Sequence, residues 1–252
     1  MEETTLVPAE KIIKPAGWLA AALLAYAGLR QAGFYNFTAG EAEGLNVLIQ
    51  LIGGIYAVLL AFTIFVIWGQ FNDVENCVIR ECNVLSDLLR FSNYLNVEAA
   101  STIRKAMAAY ARHVLKYEWE ALGDGKKDRQ AEEFFNHFMN AVNQSIPENE
   151  AEQALHLRLL DMAHKASECR EERVAKSLTR IPPTLAGLVN TIAGVLLLLI
   201  FVYPFHHWLA GGACFVIVAF VLFLANFVMT DTDNPLKGVW NVSAQPFGEL
   251  KV

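Results

Sequence analysis

Apolar residues are gathered into four blocks along the chain, near 16–29, 45–69, 184–203 and 209–229. The second block, Leu45–Gly69, has 25 residues without Asp, Glu, Lys, Arg, His or Pro. An α-helix rises about 1.5 Å per residue, and about 20 apolar residues cross the hydrocarbon core of a bilayer. The pattern therefore predicts a membrane protein in which this block spans the bilayer.

The helical pattern continues beyond the second block, where the sequence becomes charged. Apolar residues recur there at intervals of three and four: Val74, Cys77 or Val78, Cys82, Leu85, Leu88 or Leu89, and Leu95. Charged residues lie between them, as on the outer face of a helix with one buried side. We predict one long helix that leaves the membrane and enters a water-exposed helical bundle.

The first block has only 14 residues before Arg30, so it reaches the length of a span only with the following QAGFYNF as an interfacial tail. We expect it to span, with a re-entrant or surface helix as the alternative.

The distribution of basic residues predicts the orientation. Of 20 Lys and Arg residues, 15 lie between the second and third blocks, two precede the first and two follow the fourth. The positive-inside rule therefore places both termini and the central region in the cytoplasm. The predicted fold is an all-α integral membrane protein with four transmembrane helices. Its domains are 1–69 with two spans, a cytoplasmic helical domain 70–181, and 182–252 with two spans and a cytoplasmic tail.

Composition agrees with a membrane protein, because the mean hydropathy is +0.32 and 54% of the residues are hydrophobic. The formal net charge of −6, without a basic face or tail, argues against nucleic-acid binding. Cys77 and Cys82 are five residues apart, which suits neither a CxxC motif nor a zinc pair, so free thiols are expected.

Small and aromatic residues of the second block could bring several copies of this helix together. Gly53, Ala57 and Ala61 are spaced by four and allow close helix approach, either around a shared axis or within one subunit. Phe62 and Phe65 could form an apolar constriction that gates by dewetting, or they could face lipid.

Polar residues of the same helix lie in the span or near its cytoplasmic end. A ring of Asp73 would favour cations at an inner mouth, whereas the alternative is that these residues mark the water boundary. The candidate pore-lining or gate residues are Gln50, Ala57, Phe62, Phe65, Gln70 and Asp73.

The sequence offers little support for catalysis. It has no nucleophile elbow, phosphate-binding glycine loop or zinc-protease helix, so we expect neither an enzyme nor a cofactor. His156 and His164 share a helical face, but they are two turns apart, so a solvated face is favoured over a metal site.

Glu118 lies at the edge of an apolar face on a predicted helix over 97–122. Tyr110, Val114, Tyr117 and Leu122 form that face. Because a buried unpaired carboxylate is costly, we expect a structural ion pair with Arg170 or Arg173.

Several segments together resemble the bestrophin-like domain-of-unknown-function family of bacterial membrane proteins. The resemblance lies in YARHVLKYEW at 110–119, Ala61-Phe62, Arg170-x-x-Arg173 before Ile181-Pro182-Pro183, and Asp233-Asn234-Pro235-Leu236-x-Gly238. Leu236 departs from the Phe expected in the last motif.

The resemblance implies four spans around a cytoplasmic helical domain and, by wider similarity to bestrophins, a ring-shaped homo-oligomer with an axial ion pore. The second span would line that pore, with Phe62 and Phe65 as apolar rings of its neck. Asp231 and Asp233 alone occupy the place of the acidic run that binds calcium in animal bestrophins. They are candidate ion-binding residues, but calcium activation is not expected.

The leading hypothesis is therefore a homo-oligomeric ion channel of the bacterial inner membrane, a pentamer, whose partners are its own copies, membrane lipid and monovalent ions. Acidic residues at the inner mouth favour cations. The alternative is a membrane-anchored scaffold or sensor whose cytoplasmic helical domain binds a partner protein. A lipid-directed enzyme is a third hypothesis, for which Asp231, Asp233 and nearby Asn226 are the available polar cluster.

Overall fold

The computed structural model describes residues 24–25, 27–28, 37–145, 147 and 149–250, and these residues form helices joined by turns and bends, without strands. The helices in chain order are α1 (Ala39–Ser92), α2 (Val97–His113), a π-helical turn (Val114–Glu118), α3 (Trp119–Gly123), α4 (Arg129–Asn143), α5 (Glu150–Ser177), α6 (Pro183–Val202), α7 (Trp208–Thr232) and α8 (Gln245–Gly248). Most of the first apolar block, with its predicted span, lies outside the described residues.

The chain divides into two compact units, called here the membrane unit and the helical unit. The membrane unit comprises the described residues up to Ile67 together with Ile181–Asp231. The helical unit comprises Trp68–Arg180 together with the described residues from Thr232 onwards. The predicted domains stay a prediction; the compact units differ from them in grouping the C-terminal tail with the central charged stretch.

Within the described residues, three helices are long and apolar enough to cross a membrane: α1, α6 and α7. They correspond to the second, third and fourth apolar blocks. Thr38 and Glu41 begin α1 with a capping box, in which the Glu41 carboxylate accepts from Thr38 N at 2.6 Å. As predicted, α1 continues without a break to Ser92, over 54 residues.

The pair Pro182-Pro183 separates α5 from α6. α5 ends at Ser177 and α6 begins at Pro183, preceded by Pro182 in an extended conformation. The residue before a proline avoids helical angles, whereas proline suits the first turn of a helix because its missing N–H would have no partner there.

The core of the helical unit confirms the apolar periodicity of α1 beyond the membrane. The predicted positions that lie in this core are Val74, Val78, Cys82, Leu85, Leu88, Leu89 and Leu95. They pack with apolar residues of α2, α4 and α5, and the cysteines are free thiols, as predicted.

The π-helical turn changes which side chains of the 97–122 segment are buried. Tyr117, predicted to lie on the apolar face, is 52% exposed, so that prediction is wrong. Tyr110, Val114, Glu118 and Leu122 are all buried instead. In an α-helix, side chains four residues apart are rotated by about 40° from one another around the helix axis. The π-helical turn at Val114–Glu118 has more residues per turn, which reduces this rotation.

The C-terminal tail packs into the helical unit. Leu236, Val242, Phe247 and Leu250 belong to its core. Asn234 Nδ2 donates to the Gly123 carbonyl oxygen at 2.8 Å and fixes the turn that precedes them. Phe247, an aromatic residue of the tail, is only 1% exposed in this core.

Candidate functional site

One side of α1 packs against its own chain in the membrane unit. Tyr56, Thr63 and Ile67 are buried there, together with residues of α6 and α7. The Thr63 hydroxyl donates to the Leu59 carbonyl oxygen at 2.8 Å, so its polar group is satisfied inside an apolar segment. This spacing of seven and four places the three side chains on one helical face.

The opposite side of α1 is not covered by other residues that the structure describes. Phe62 is 58% exposed and Phe65 is 75% exposed. Val58, seven residues before Phe65, is exposed as well. Phe65 is nine residues from Tyr56, so at about 100° per residue it points about 180° away from the packed side. An open apolar face on a membrane-spanning helix is available to lipid, to a second copy or to a narrow pore.

The six candidate pore residues do not share one face of α1. At about 100° of rotation per residue, Gln50 and Ala57 lie to one side of Phe65 around the helix axis, whereas Phe62 lies to the other side. Gln70 is half-buried and lies within about 40° of Tyr56, on the side packed against its own chain. Phe65 is therefore at the centre of the open face.

Asp73 lies in the helical unit and forms an ion pair. Its carboxylate accepts from Lys176 Nζ at 3.0 Å, and Lys176 also contacts Glu172 at 3.1 Å. The hydrogen bonds that Lys176 donates to Asp73 and Glu172 raise the pKa of Lys176 above its ordinary value. Asp73, whose side chain is 57% exposed, therefore has a cation of its own chain beside it.

The acidic pair after the last span is half-buried. Asp231 and Asp233 each have interaction partners within the structure. Burial lowers the pKa of Arg180, and the negative charge of Asp233 opposes that change. No group of three or more potential metal-ligating side chains occurs within the part of the chain that the structure describes.

His156 and His164 have separate neighbours. His156 Nδ1 lies 3.0 Å from the Ser145 hydroxyl, whereas His164 Nε2 lies 3.4 Å from a Glu168 oxygen and is exposed. The imidazole rings of His156 and His164 therefore contact different residues.

A network of buried charges occupies the centre of the helical unit. Arg173 Nε donates to Glu81 Oε2 at 2.6 Å, and Arg173 Nη2 donates to Glu118 Oε2 at 2.8 Å. Arg170 contacts both oxygens of Glu118, at 2.8 Å and 3.1 Å. The predicted ion pair of Glu118 is confirmed, and it includes both arginines.

The Tyr110 hydroxyl links the two halves of this network. It donates to Glu81 Oε1 at 2.5 Å and accepts from Arg170 Nη1 at 2.9 Å. Two carboxylates face two guanidinium groups, so the cluster is neutral overall. Such pairing offsets part of the cost of burying each charge.

The surroundings shift the pKa values in this network in opposing ways. Burial by itself raises the pKa of Glu118, but Arg173 and Arg170 outweigh that effect and hold it below its usual range. Burial, reinforced by the charge of Glu81, raises the pKa of Tyr110 well above its ordinary value. Tyr110 therefore remains a neutral donor, and Glu118 remains an anion.

Phe247 of the tail covers the network. Its ring lies 5.2 Å from the Arg173 guanidinium carbon, within the range of a cation–π contact. Trp119 and Tyr110 pack edge-on against the same ring, with centroids 6.3 and 6.4 Å away. This arrangement covers the Arg173 side of the network, where the Arg173 side chain is fully buried.

Glu81 is a member of this network that the sequence-based predictions do not include. Its position carries a usable signal, because Glu81 falls four residues before Leu85 and seven after Val74, within the apolar stripe. A charged residue in a buried stripe needs a partner. The identity of that partner, Arg173, depends on the tertiary fold, since 92 residues separate the two.

Comparison with known proteins places this architecture in a family. The family model described as "Bestrophin-like: Bestrophin-like domain" matches residues 40–247. A crystal structure of a bacterial Bestrophin homolog from Klebsiella pneumoniae superposes with a TM-score of 0.61 at 12% identity, covering 95% of this chain and 93% of that one. Two single-substitution variants of that homolog give TM-scores of 0.66 and 0.67, at 12% and 11% identity, over 95% of this chain and 94% and 95% of theirs. No curated protein matches the sequence.

Proposed function

The chain belongs to the bestrophin-like family and has its all-α membrane fold, and from this we propose that it is a homo-oligomeric ion channel. In this proposal it is a multi-pass protein of the bacterial inner membrane with both termini in the cytoplasm. Its partners are further copies of the chain, in a pentamer, with membrane lipid around the ring and monovalent ions in the axial pore. Conduction requires no catalytic residue and no cofactor.

The observation that carries this proposal is the two-sided character of α1. Tyr56, Thr63 and Ile67 hold one side of the helix against its own chain, whereas Phe65 and Phe62 stand on the open side. Repeating this helix around an axis would turn the open side into the wall of a pore. The open residues are apolar, so the narrow part of that pore would resist hydration.

Phe65 is the proposed centre of the neck, with Phe62 beside it. Gln50 and Ala57 lie on the flank toward the outer half of the helix, where they would contribute to the wall or to contacts between copies. Gln70 is the weakest member of the proposed set, because it lies on the side of α1 that packs against its own chain. Small side chains at Gly53, Ala57 and Ala61 permit close approach of neighbouring helices.

Charge at the cytoplasmic end is proposed to set the ion preference. Asp73 would form part of a ring at the inner mouth, but its pairing with Lys176 weakens the attraction for cations. Glu75, exposed two residues later, adds a second carboxylate. We expect a modest preference for cations, with Asp231 and Asp233 as further proposed ion-contacting residues.

Recording current from the purified protein in planar bilayers tests this function. The proposal expects stepwise currents that scale with salt concentration. Absence of current across a range of salts, pH and calcium concentrations would contradict it.

A membrane-anchored scaffold or sensor is the second candidate, and exposed apolar side chains on the helical unit favour it. Tyr94 and Val97 are 76% and 87% exposed beside the connection between α1 and α2. Affinity capture with the full chain, followed by mass spectrometry, separates the two candidates. The full chain is required because Phe247 and its neighbours complete the core. A channel should recover mainly its own copies, whereas a scaffold should recover a distinct soluble protein whose capture is lost in a Tyr94→Ser, Val97→Ser variant.

A further inference from the structure

A cleft of about 450 Å³ opens on the helical unit beside the buried charges. Its floor consists of Glu118, Phe135 and Arg170, each more than nine-tenths buried. Ser167 and Asn136 contribute polar groups to the walls. The volume is within the range of pockets that hold small molecules.

Arg170 uses one edge of its guanidinium group to hold Glu118. Nη1 and Nη2 contact the two carboxylate oxygens at 3.1 and 2.8 Å, and Nη1 also donates to the Tyr110 hydroxyl at 2.9 Å. A guanidinium group carries five N–H donors in a rigid planar arrangement. These contacts occupy three of them.

The other edge of Arg170, formed by Nε–H and the second N–H of Nη2, has no partner among the described residues. Arg173 Nη1 lacks a partner too, but it is sealed from solvent, whereas Arg170 Nε is not. Arg170 lines the cleft, and we infer that its free edge is the part of the guanidinium group that faces it. Two parallel N–H groups on one edge match the two oxygens of a carboxylate.

The charges around the cleft limit what can bind there. Glu132 on α4 and Glu171 on α5 line it, and Asp128 is a third carboxylate, already paired with His113 at 2.8 Å. Lys127 is the cation on the rim. An anion held only by Arg170 would be repelled by the surrounding carboxylates, whereas a ligand that also carries an ammonium group would be attracted to them.

We propose that this cleft binds a small zwitterion of the amino-acid type. The carboxylate of the ligand lies on the Nε–Nη2 edge of Arg170, and its ammonium group lies between Glu132 and Glu171. The ligand thereby bridges α4 and α5 over the network that contains Glu118. This binding site is independent of whether the protein conducts ions.

Isothermal titration calorimetry on the full chain in detergent tests the proposal. The probes are the common amino acids one at a time, with acetate and methylammonium as ligands that carry one charge each. At least one amino acid should bind saturably, and acetate and methylammonium should each bind at least about tenfold more weakly, because each lacks one charged contact. Absence of binding by every amino acid, or equal binding of acetate, would overturn the proposal.

Variants locate the site. Arg170→Lys keeps a positive charge near Glu118 but lacks the second edge, so it should lose binding. Glu132→Gln and Glu171→Gln should each weaken binding at least about threefold, because each removes a charge that faces the ammonium group. Glu168→Gln, on the same helix but outside the cleft, is the matched control and should bind normally. Glu132→Gln and Glu171→Gln change surface residues, so they decide the outcome even where Arg170→Lys fails to fold. Wild-type affinity in both of these variants would overturn the proposal.

Discussion

Arg173 Nε and Glu81 Oε2 are 2.6 Å apart, and both side chains are fully buried. This pair joins α1 to α5 in the centre of the helical unit, and the Tyr110 hydroxyl holds the second oxygen of Glu81. A buried carboxylate or guanidinium group that loses its partner keeps its desolvation cost without the compensating attraction. The network is therefore the place where single substitutions should have the largest effect on stability.

Glu81→Gln should destabilise the helical unit by about 3–5 kcal/mol, because it leaves Arg173 buried with one counter-charge fewer. Thermal unfolding followed by tryptophan fluorescence measures the change. Glu75→Gln, an exposed change on the same helix, is the control and should cost no more than about 0.5 kcal/mol. The double change Glu81→Met, Arg173→Met should cost less than the sum of the single changes. Wild-type stability in Glu81→Gln would contradict the role of the pair.

Acidification should weaken the helical unit through Glu118. The pKa of Glu118 is lower in the folded protein than its ordinary value of 4.5, since its two arginines outweigh the effect of burial. Its stabilising contribution is therefore complete above that ordinary pKa and is lost as the pH falls from there through the folded pKa. The unfolding temperature of the wild type should fall more steeply over this interval than that of Glu118→Gln. Parallel curves for the two proteins would contradict this assignment.

Phe65→Ala and Phe62→Ala should raise the leak conductance in planar bilayers, with the larger effect at Phe65. Removing an apolar ring widens the constriction and lowers the barrier to hydration. Phe220→Ala on α7 is the matched control, because Phe220 is about as exposed as Phe62 but lies on another membrane helix. Leak currents that respond equally to all three changes would remove the two residues from the neck.

Lys176→Ala should increase the preference for cations. The change removes the ammonium group 3.0 Å from Asp73 and leaves the carboxylate uncompensated. Reversal potentials in asymmetric salt measure the shift, and Asp73→Asn should move them in the opposite direction. Reversal potentials that stay the same in both variants would show that Asp73 does not face the ion path.

The sequence was sufficient to predict the long helix α1 because its apolar residues keep one period from the membrane segment to Leu95. The pairing of Glu118 is also predictable from the sequence, because burying a carboxylate without a partner would be costly. The spacing of apolar residues places Tyr117 on the wrong face, because a π turn leaves no trace in that spacing. The cover that Phe247 forms over Arg173 arises from packing between distant segments, which no local pattern encodes.

The proposed channel requires that the open face of α1 lines the path that the ions take. Current recorded from the Phe65→Cys variant in a planar bilayer, before and after addition of a charged, water-soluble methanethiosulfonate reagent, tests that claim directly. The account predicts that the reagent reduces the current of this variant and leaves that of the wild type unchanged. Current that the reagent does not alter, in a variant shown by mass spectrometry to be unmodified at position 65, would contradict it.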